Sequence, residues 1–395
     1  MTPNNRPTGL YQNLTREEMV VSNLTAKGTL YPMEMGRIRK LRMLLKKERA
    51  DAFILYTHED GNRNVRYLSG FGGSVGALFI TRDKAFIGVD SRYTERARKE
   101  ASGLTLIPMT RKGGVAGFVN EALSRLPERS VRRIGYEGHH VPVLVLREWE
   151  KKIRPKLIPL PNLVGKLRQY KDAGEMRHIR AACRATDKAL AVVLPNIRVG
   201  MKETDVAFLL DMELRKRGAV ESSFPTIVAS GPNSAIPHHE ASSRRLRAGE
   251  PVVIDFGGRF PSGYCSDISR TIFMRGKKPA AEMLRIYNIV LSANRRASRA
   301  VRVGMSWKAY DKVARDFITK AGYGDYFTHS VGHSLGLDVH DSYNYKNDPI
   351  KADTVLTCEP GIYLLGKGGV RIEDDLLITK KGAERFTHAP YAKPS

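Results

Sequence analysis

The sequence has little cysteine, and the few cysteines follow no metal-binding pattern. Only three occur among 395 residues, at positions 183, 265 and 358, an odd number without the C-x-x-C spacing of a structural zinc site. This usage fits a reducing compartment. Neither Cys265 nor Cys358 has an activating base nearby in sequence, so we expect buried packing residues instead of nucleophiles.

Long apolar runs are also missing. No run is long enough to span a bilayer, and the first residues lack the continuous apolar core of a secretory signal. We therefore expect a cytoplasmic protein with no membrane segment.

Acidic residues are scarce relative to basic ones. There are 41 Asp and Glu against 66 Lys and Arg, for a formal net charge of +25. Such a charge is compatible with polyanion contact. The basic residues are spread along the chain, however, and no nucleic-acid-binding motif is evident. We favour a solvated basic surface over specific nucleic-acid binding.

What is present is an ordinary globular composition, 42% hydrophobic and 27% charged, over a length sufficient for two domains. Residues 1–35 are polar with little periodicity and predict an N-terminal arm. Residues 36–161 alternate helical and strand patterns, which predicts an α/β domain. Residues 162–395 are predicted to form a second domain.

This second domain contains an internal repeat. The sequence RVGM at 198–201 recurs at 302–305, and each copy leads into a helical pattern that ends at a glycine, 218 or 322. Both features are offset by 104 residues. A duplicated helix-plus-sheet unit is predicted, with two pseudo-twofold halves forming one curved sheet that has helices outside.

Each half carries strands with acidic residues inside apolar runs. Asp255 lies in PVVIDFGG and Asp267 in YCSDISRTIFM, with the turn-forming Pro261-Ser262-Gly263 between them. This predicts a β-hairpin. A turn centred on Pro261 would place the two aspartates opposite each other on one face.

The second half repeats the pattern. Glu359 in VLTCEPGIYLL and Glu373 in GGVRIEDDLLIT flank a glycine-rich turn whose midpoint is Gly366. These glutamates are also expected to face each other. Four carboxylates flanked by apolar residues need compensating positive charge, which divalent cations supply.

His333 completes the set from the loop HSVGHSLGLDVHD, where Gly332 and Gly336 allow a tight backbone. One imidazole with four carboxylates favours Mn, Co, Fe or Zn over a cysteine-type zinc site. Taken singly, each of these residues is more often a structural group. The two mirrored hairpins together with the histidine loop favour a two-metal hydrolase.

The order SDISRT, GHSLGLDVHD, CEPGIY and GVRIEDD resembles the pita-bread metallopeptidases, specifically the Xaa-Pro peptidases. YLSGF and DSRYTERA resemble the creatinase-like domain that accompanies aminopeptidase P and prolidase. The resemblance covers nearly all of the chain beyond residue 35. It implies an α/β (α+β) protein in which a creatinase-like N-terminal domain precedes a pseudo-twofold pita-bread catalytic domain.

The resemblance also implies a ligand set for two divalent metal ions, with Mn²⁺ first and Co²⁺, Zn²⁺ or Fe²⁺ as alternatives. Asp255 would bind one ion, Asp267 and Glu373 would bridge both, and His333 with Glu359 would complete the second. A hydroxide between the ions would attack the peptide carbonyl, with Glu359 as general base or proton shuttle.

Further residues match positions on the substrate side. His238, His329 and His340 are implied to stabilise the oxyanion and to hold the residue on the leaving side. The adjacent His239 is expected to be peripheral. Arg371 is expected either to orient a bridging carboxylate or to meet the substrate carboxylate.

The function so predicted is that of a two-metal exopeptidase acting on the Xaa-Pro bond of proline-containing dipeptides or short peptides. Dipeptidase and aminopeptidase activities both stay open, with a preference for short peptides because no long insertion separates His340 from Glu359. A homodimer is expected from the resemblance. The alternative is a non-enzymatic pita-bread-fold binding protein that uses its basic surface; a metal-free creatinase-like hydrolase is disfavoured by the full ligand set.

Overall fold

The computed structural model describes residues 32–59, 61–341 and 348–392. The chain divides into two units, residues 1–163 and residues 164–395. The division falls two residues beyond the predicted end at 161. Most of the predicted arm, residues 1–31, lies outside the described residues. Within the described ranges, no helix combines the length and apolar character needed to cross a bilayer.

The first unit is built on a six-stranded sheet. Its strands are β1 (Ala52–Thr57), β2 (Gly76–Thr81), β3 (Ala85–Val89), β4 (Thr105–Pro108), β5 (Arg133–Glu137) and β6 (Lys156–Leu160), in the order β4-β3-β2-β1-β5-β6. Strands β1, β2 and β3 pair antiparallel, whereas β3–β4, β1–β5 and β5–β6 are parallel pairs. Its helices are α1 (Pro32–Lys47), α2 (Arg63–Ser69), α3 (Thr94–Glu100), α4 (Gly114–Ser124) and α5 (Val143–Lys152).

Local sequence rules account for most of these elements. The alternation of helices and strands predicted for residues 36–161 is confirmed, and β2 and β3 form an antiparallel hairpin within it. Helix α2 was missed because it is only seven residues long. Its signals were an Asn62 side chain that caps the Asn64 amide and a left-handed Gly70 at its end.

The second unit begins with helix α6 (Leu163–Arg168), which starts at the boundary, and continues with α7 (Ala173–Val193), α8 (Glu203–Lys216), α9 (Ala281–Ala300) and α10 (Trp307–Lys320). Its strands are β7 (Glu221–Ser222), β8 (Ile227–Ser230), β9 (Pro251–Phe256), β10 (Gly258–Arg259), β11 (Ile268–Phe273), β12 (Thr354–Cys358), β13 (Gly361–Leu364), β14 (Gly368–Arg371), β15 (Asp374–Thr379) and β16 (Gly382–Arg385). Helix α7 begins with a capping box that Asp172 and Glu175 form.

The predicted repeat is present in the backbone. Helices α8 and α10 each contain 14 residues and are offset by 104, from 203 to 307 and from 216 to 320. Gly200 and Gly304 adopt nearly the same left-handed φ, 90° and 87°. Their amides donate to Leu246 and Ile350, again 104 residues apart. The two halves therefore share a fold down to individual hydrogen bonds.

Each half has its own apolar core between its helix pair and its strands. One core gathers residues of α7, α8 and β9, and the other gathers residues of α9, α10, β12 and β15. The strands form separate ladders, β11-β9-β8, β12-β15-β16 and β13-β14, where one curved sheet was expected. Single bonds join them, such as the Glu373 amide to the Ser269 carbonyl at 3.0 Å.

Candidate metal centre

The first hairpin forms, but its register differs from the predicted one. Asp255 pairs with Ser269, and the same register continues through a bridge between Arg259 and Cys265, so that Asp267 lies opposite Gly257. A Cβ on Gly257 would lie 1.9 Å from the Ser266 carbonyl oxygen, so the position requires glycine. The predicted pairing was wrong by two residues. Because a shift of two preserves the side of the sheet, both aspartates still share a face.

The second hairpin has the predicted register. The pairs on either side of the two glutamates are Cys358 with Asp374 and Gly361 with Arg371. Both pairs are centred on Gly366, which has a left-handed φ of 76°. Glu359 and Glu373 therefore lie opposite each other, as predicted.

The histidine loop runs against strand β12. The His333 amide donates to the Thr357 hydroxyl at 2.9 Å, and the Thr357 amide donates to the His333 carbonyl at 2.8 Å. A Cβ on Gly332 would lie 2.1 Å from the Thr357 carbonyl oxygen, so only glycine allows this approach. His333 Nε2 then lies 3.3 Å from Glu359 Oε1 and 3.7 Å from Asp267 Oδ2.

A buried cluster of ligand-type atoms results. One side-chain ligand atom each from Asp267, His333 and Glu373 lies within 4.8 Å of the others. Asp255 Oδ1, Asp267 Oδ1 and Glu373 Oε1 are buried without a hydrogen-bond partner among the described residues. Unpartnered buried carboxylate oxygens are costly, and divalent cations prefer this set of oxygen and imidazole donors. The residues present thus fit a divalent metal site.

The pKa values of the cluster residues also indicate a site that a cation would stabilise. Burial, followed by repulsion from Glu373 and Asp255, raises the pKa of Asp267 well above its ordinary value. Burial and neighbouring carboxylates likewise raise the pKa of Glu373. Burial raises the pKa of Glu359 to about 8 although a guanidinium lies nearby, and burial lowers the pKa of His333 to about 3.

Protein groups accept from four of the five N–H donors of Arg371. Its Nη2 donates to Asp255 Oδ2 at 2.5 Å, its Nε donates to the Ser269 hydroxyl at 2.9 Å, and its Nη1 donates to the Pro237 carbonyl and the Tyr363 hydroxyl, both at 3.0 Å. The guanidinium therefore holds Asp255, and neither bridging carboxylate of the implied ligand set is among these partners.

The predicted substrate-side histidines lie in different environments. His329 Nδ1 lies 2.8 Å from the carbonyl of the next residue and its Nε2 lies 2.7 Å from the Tyr363 hydroxyl, so both ring nitrogens are occupied. The His340 ring lies 4.1 Å from that of His333. His238 is exposed and close enough to His329 and His340 to lower the pKa of each, after the larger effect of burial.

His239 points away from this group and meets Glu203, a residue that sequence reasoning missed. Glu203 is fully buried. It accepts hydrogen bonds from four residues of the segment 230–242, here called the His238 segment, namely Ser230, Asn233, His239 and Ser242. Its only sequence signal was its place at the start of the helix that follows the RVGM turn.

A network of four charged residues that holds the His340 loop was also missed. Arg168 donates to Asp341 and, at 2.5 Å, to Asp338, while Lys171 Nζ lies 3.3 Å from Asp341 Oδ2. The side chains of Arg168, Lys171 and Asp341 are at most 4% exposed. This buried network fixes the backbone immediately after His340. Its partners are about 170 residues apart in sequence, so no local pattern signals it.

Two protein-family models match this chain, one within the second unit and one mostly within the first. A model of metallopeptidase family M24 matches residues 177–380, and a model of the creatinase/prolidase N-terminal domain matches residues 37–170. A Xaa-Pro dipeptidase of Pyrococcus horikoshii is 34% identical over 356 residues, covering 89% of this chain and 96% of that protein. Two solved structures also match over most of their length. The Xaa-Pro dipeptidase from Bacillus anthracis has a TM-score of 0.84 at 35% identity, covering 91% of this chain and 98% of that one. The X-Pro aminopeptidase from Thermotoga maritima has a TM-score of 0.81 at 34% identity, covering 90% and 99%.

Proposed function

Because the chain belongs to metallopeptidase family M24 and carries a creatinase/prolidase N-terminal domain, we propose that it is a metal-dependent peptidase that cleaves the Xaa-Pro bond of short peptides. The observation that carries this proposal is the cluster of buried, unpartnered carboxylate oxygens beside His333. The proposed ligands for two divalent ions are Asp255, Asp267, His333, Glu359 and Glu373. When bound, the ions would lower the pKa of a water so that it can attack the peptide carbonyl near neutral pH.

Glu359 is proposed to move the proton in this reaction. Its carboxylate oxygen Oε1 lies 3.3 Å from His333 Nε2, inside the proposed ligand cluster where an activated water would be held. The Thr357 hydroxyl donates to Glu359 Oε1 at 3.2 Å and orients the carboxylate. Glu359→Gln should abolish turnover and keep the fold, whereas Glu384→Gln, the same change at an exposed position, should retain the wild-type rate.

The histidines are proposed to have separate roles. Because the Ser330 carbonyl can only accept, Nδ1 of the neutral His329 ring donates to it, and Nε2 therefore accepts from the Tyr363 hydroxyl. His329 is therefore assigned the positioning of Tyr363. No described residue is hydrogen-bonded to the ring nitrogens of His238 or His340, so these two are assigned to the oxyanion and the leaving-side residue.

Substrate length and metal are proposed from the relatives and the donor set. Relatives named dipeptidase and aminopeptidase match similarly well, and we propose dipeptides and short peptides with proline in second place. Arg371 is buried and four of its five N–H donors already bond protein groups, so it is not proposed as the group that captures a free substrate carboxylate. Mn²⁺ is the proposed ion, with Co²⁺, Zn²⁺ and Fe²⁺ as alternatives, since four carboxylates and one imidazole suit these metals.

The test is hydrolysis of Ala-Pro and Ala-Pro-Ala by metal-stripped protein before and after addition of Mn²⁺, Co²⁺, Zn²⁺ or Fe²⁺. Metal-dependent cleavage of the dipeptide alone would identify a dipeptidase, and cleavage of the tripeptide an aminopeptidase. Failure to cleave either peptide with every metal would refute the proposal. The homodimer also stays a proposal, and sedimentation velocity of the full chain tests it.

A further inference from the structure

The catalytic unit contains a second concavity, which the peptidase function does not use. It has a volume of about 710 Å³ and lies between helix α9, the β15–β16 hairpin and the segment around Tyr391. Four basic side chains line it: Arg295, Arg299, Lys381 and Arg385. Helix α9 supplies the first two from successive turns, so they share the wall that faces the hairpin.

These cations have little negative charge near them. Among the described residues that line the pocket, Asp374 is the one acidic side chain; it lies 2.9 Å from Arg270 Nη2, and both of these side chains are 1% exposed. Asp374 also accepts from the Tyr391 hydroxyl at 2.7 Å and lies 4.0 Å from Arg385. Its charge is therefore already compensated by a buried partner outside the lining.

Three of the four lining cations remain without a carboxylate. Among the residues that the structure describes, no carboxylate oxygen lies within 4.0 Å of the charged groups of Arg295, Arg299 or Lys381. The Arg295 guanidinium lies over the Tyr391 ring, 5.4 Å from its centroid, which fixes the cation at the pocket wall. All three side chains are exposed, so a ligand can reach them.

A concave group of like charges differs from a basic convex surface. On a convex surface the charges diverge into solvent, whereas in a concavity their fields add at one place and concentrate counter-ions there. Guanidinium groups present paired N–H donors that match phosphate oxygens, and a lysine adds a compact point charge. The volume exceeds that of a single phosphate and is in the usual range for small-ligand pockets.

We propose that this pocket binds a compact anion carrying several linked phosphate groups, through Arg295, Arg299, Lys381 and Arg385. The site lies beside the metal centre without sharing a ligand with it. Asn294, which also lines the pocket, donates to the Cys358 and Ile372 carbonyls at 2.8 Å and 3.2 Å, next to Glu359 and Glu373. The proposal assigns a use to part of the +25 charge that peptide hydrolysis does not require.

The experiment is isothermal titration of tripolyphosphate into the full-length, metal-loaded protein at about 0.15 M salt, where charge effects beyond about 8 Å are screened. The double variant Arg299→Glu with Lys381→Glu reverses two lining charges. The matched control, Lys308→Glu with Lys320→Glu, changes two exposed lysines of helix α10, and both variants lower the net charge by four, from +25 to +21. We expect the wild type and the control to bind alike, and the pocket variant to bind at least tenfold more weakly.

Three results would overturn the proposal: no binding to the wild type, an equal loss in pocket variant and control, or wild-type binding by the pocket variant. The last would place the anion elsewhere, including at the metal centre, and metal analysis after each titration separates binding from chelation. ATP in place of tripolyphosphate distinguishes the sources: similar affinity indicates a free phosphate chain, and tighter binding indicates a nucleotide. If circular dichroism or melting without ligand shows that the Glu variant is misfolded, Arg299→Gln with Lys381→Gln replaces it.

Discussion

Replacement of Glu203 by glutamine tests whether hydrogen bonds to this buried carboxylate hold the His238 segment in place. Oε1 accepts from the Ser230 amide and hydroxyl, both at 2.7 Å, and from Asn233 Nδ2 at 3.0 Å. Oε2 lies 2.8 Å from His239 Nε2 and accepts from the Ser242 amide and hydroxyl at 3.1 Å and 2.6 Å. All of these partners donate, so a carboxylate satisfies the site and an amide cannot.

The expected cost follows from these contacts. A hydrogen bond to a charged group contributes about 1.5–3 kcal/mol and a neutral one about 0.5–1.5 kcal/mol, so loss of the charge weakens several bonds at once. The new NH₂ must also face a backbone amide, which leaves a buried donor unsatisfied at about 1–3 kcal/mol. We expect Glu203→Gln to lower the free energy of unfolding of the catalytic unit by about 3–5 kcal/mol.

The pKa gives a second, pH-dependent signature. Although burial opposes ionisation, hydrogen bonds from Ser242, Ser230 and His239 lower the pKa of Glu203 to about 2. A lowered carboxyl pKa stabilises the fold above the unfolded value of 4.5, and this stabilisation is lost as the pH falls from about 4.5 towards 2. A shift of this size corresponds to about 3 kcal/mol of stability at neutral pH. The difference between wild type and variant should therefore narrow in acid.

The assay is urea unfolding at pH 7 and pH 3, followed by circular dichroism and by tryptophan fluorescence, to which the buried Trp149 and Trp307 both contribute. Glu384→Gln is the control, because Glu384 is half-exposed and its ion pair among the described residues is with the partly exposed Arg180, at 2.5 Å; the change should alter stability by less than about 1 kcal/mol. The reasoning is refuted if Glu203→Gln unfolds like the control at pH 7. Equal losses at both pH values would remove the electrostatic part of the account.

Further predictions concern the metal centre and its surroundings. Asp267→Asn should lower the metal content measured by elemental analysis, since it removes one of the proposed bridging ligands; unchanged stoichiometry would contradict that assignment. Arg371→Met should destabilise the metal-free protein by about 3–5 kcal/mol, because it removes the cation paired with the buried Asp255, and it should reduce kcat/KM of the metal-loaded enzyme; a variant as stable and active as the wild type would contradict this role. The His329 ring should stay neutral down to about pH 4, because burial lowers its pKa to about 4, and folding therefore loses stability as the pH falls from about 6.5 to 4; protonation above pH 6 in an NMR titration would disprove it. None of the three cysteines should react with a thiol reagent in the native state, since all are buried and burial raises the pKa of Cys183 and, to about 12, of Cys358; rapid labelling before unfolding would show otherwise.

Hairpins and repeats were predictable because they depend on short stretches of chain. The glycine-rich turn at 366–369 determined the register of Glu359 and Glu373, since a turn and its flanking alternation fix a hairpin. The first hairpin was less predictable. Its loop contains the extra strand β10, paired with β7 outside the hairpin, and the register is centred one position after Pro261. The turn residue alone did not reveal this.

Most contacts between residues far apart in the sequence could not be predicted from the sequence. Arg371 and its partner Asp255 are 116 residues apart in the sequence. Arg168 and Asp341, which anchor the His340 loop, are 173 residues apart. A buried arginine pairs with the carboxylate that tertiary packing places next to it. The periodicity of apolar residues does not predict which carboxylate that is. The same holds for the gathering of Arg299 and Lys381 around one concavity.

The sequence by itself determined the duplicated α/β architecture, the two carboxylate hairpins, the histidine loop and the resemblance to Xaa-Pro peptidases, because apolar periodicity, glycine turns and short motifs are local. Only the tertiary structure decided that Asp267, His333 and Glu373 meet, that Glu203 holds the His238 segment, and that Arg371 holds Asp255. These outcomes depend on how the two halves pack and on which buried polar groups need partners, and both are properties of the folded chain as a whole.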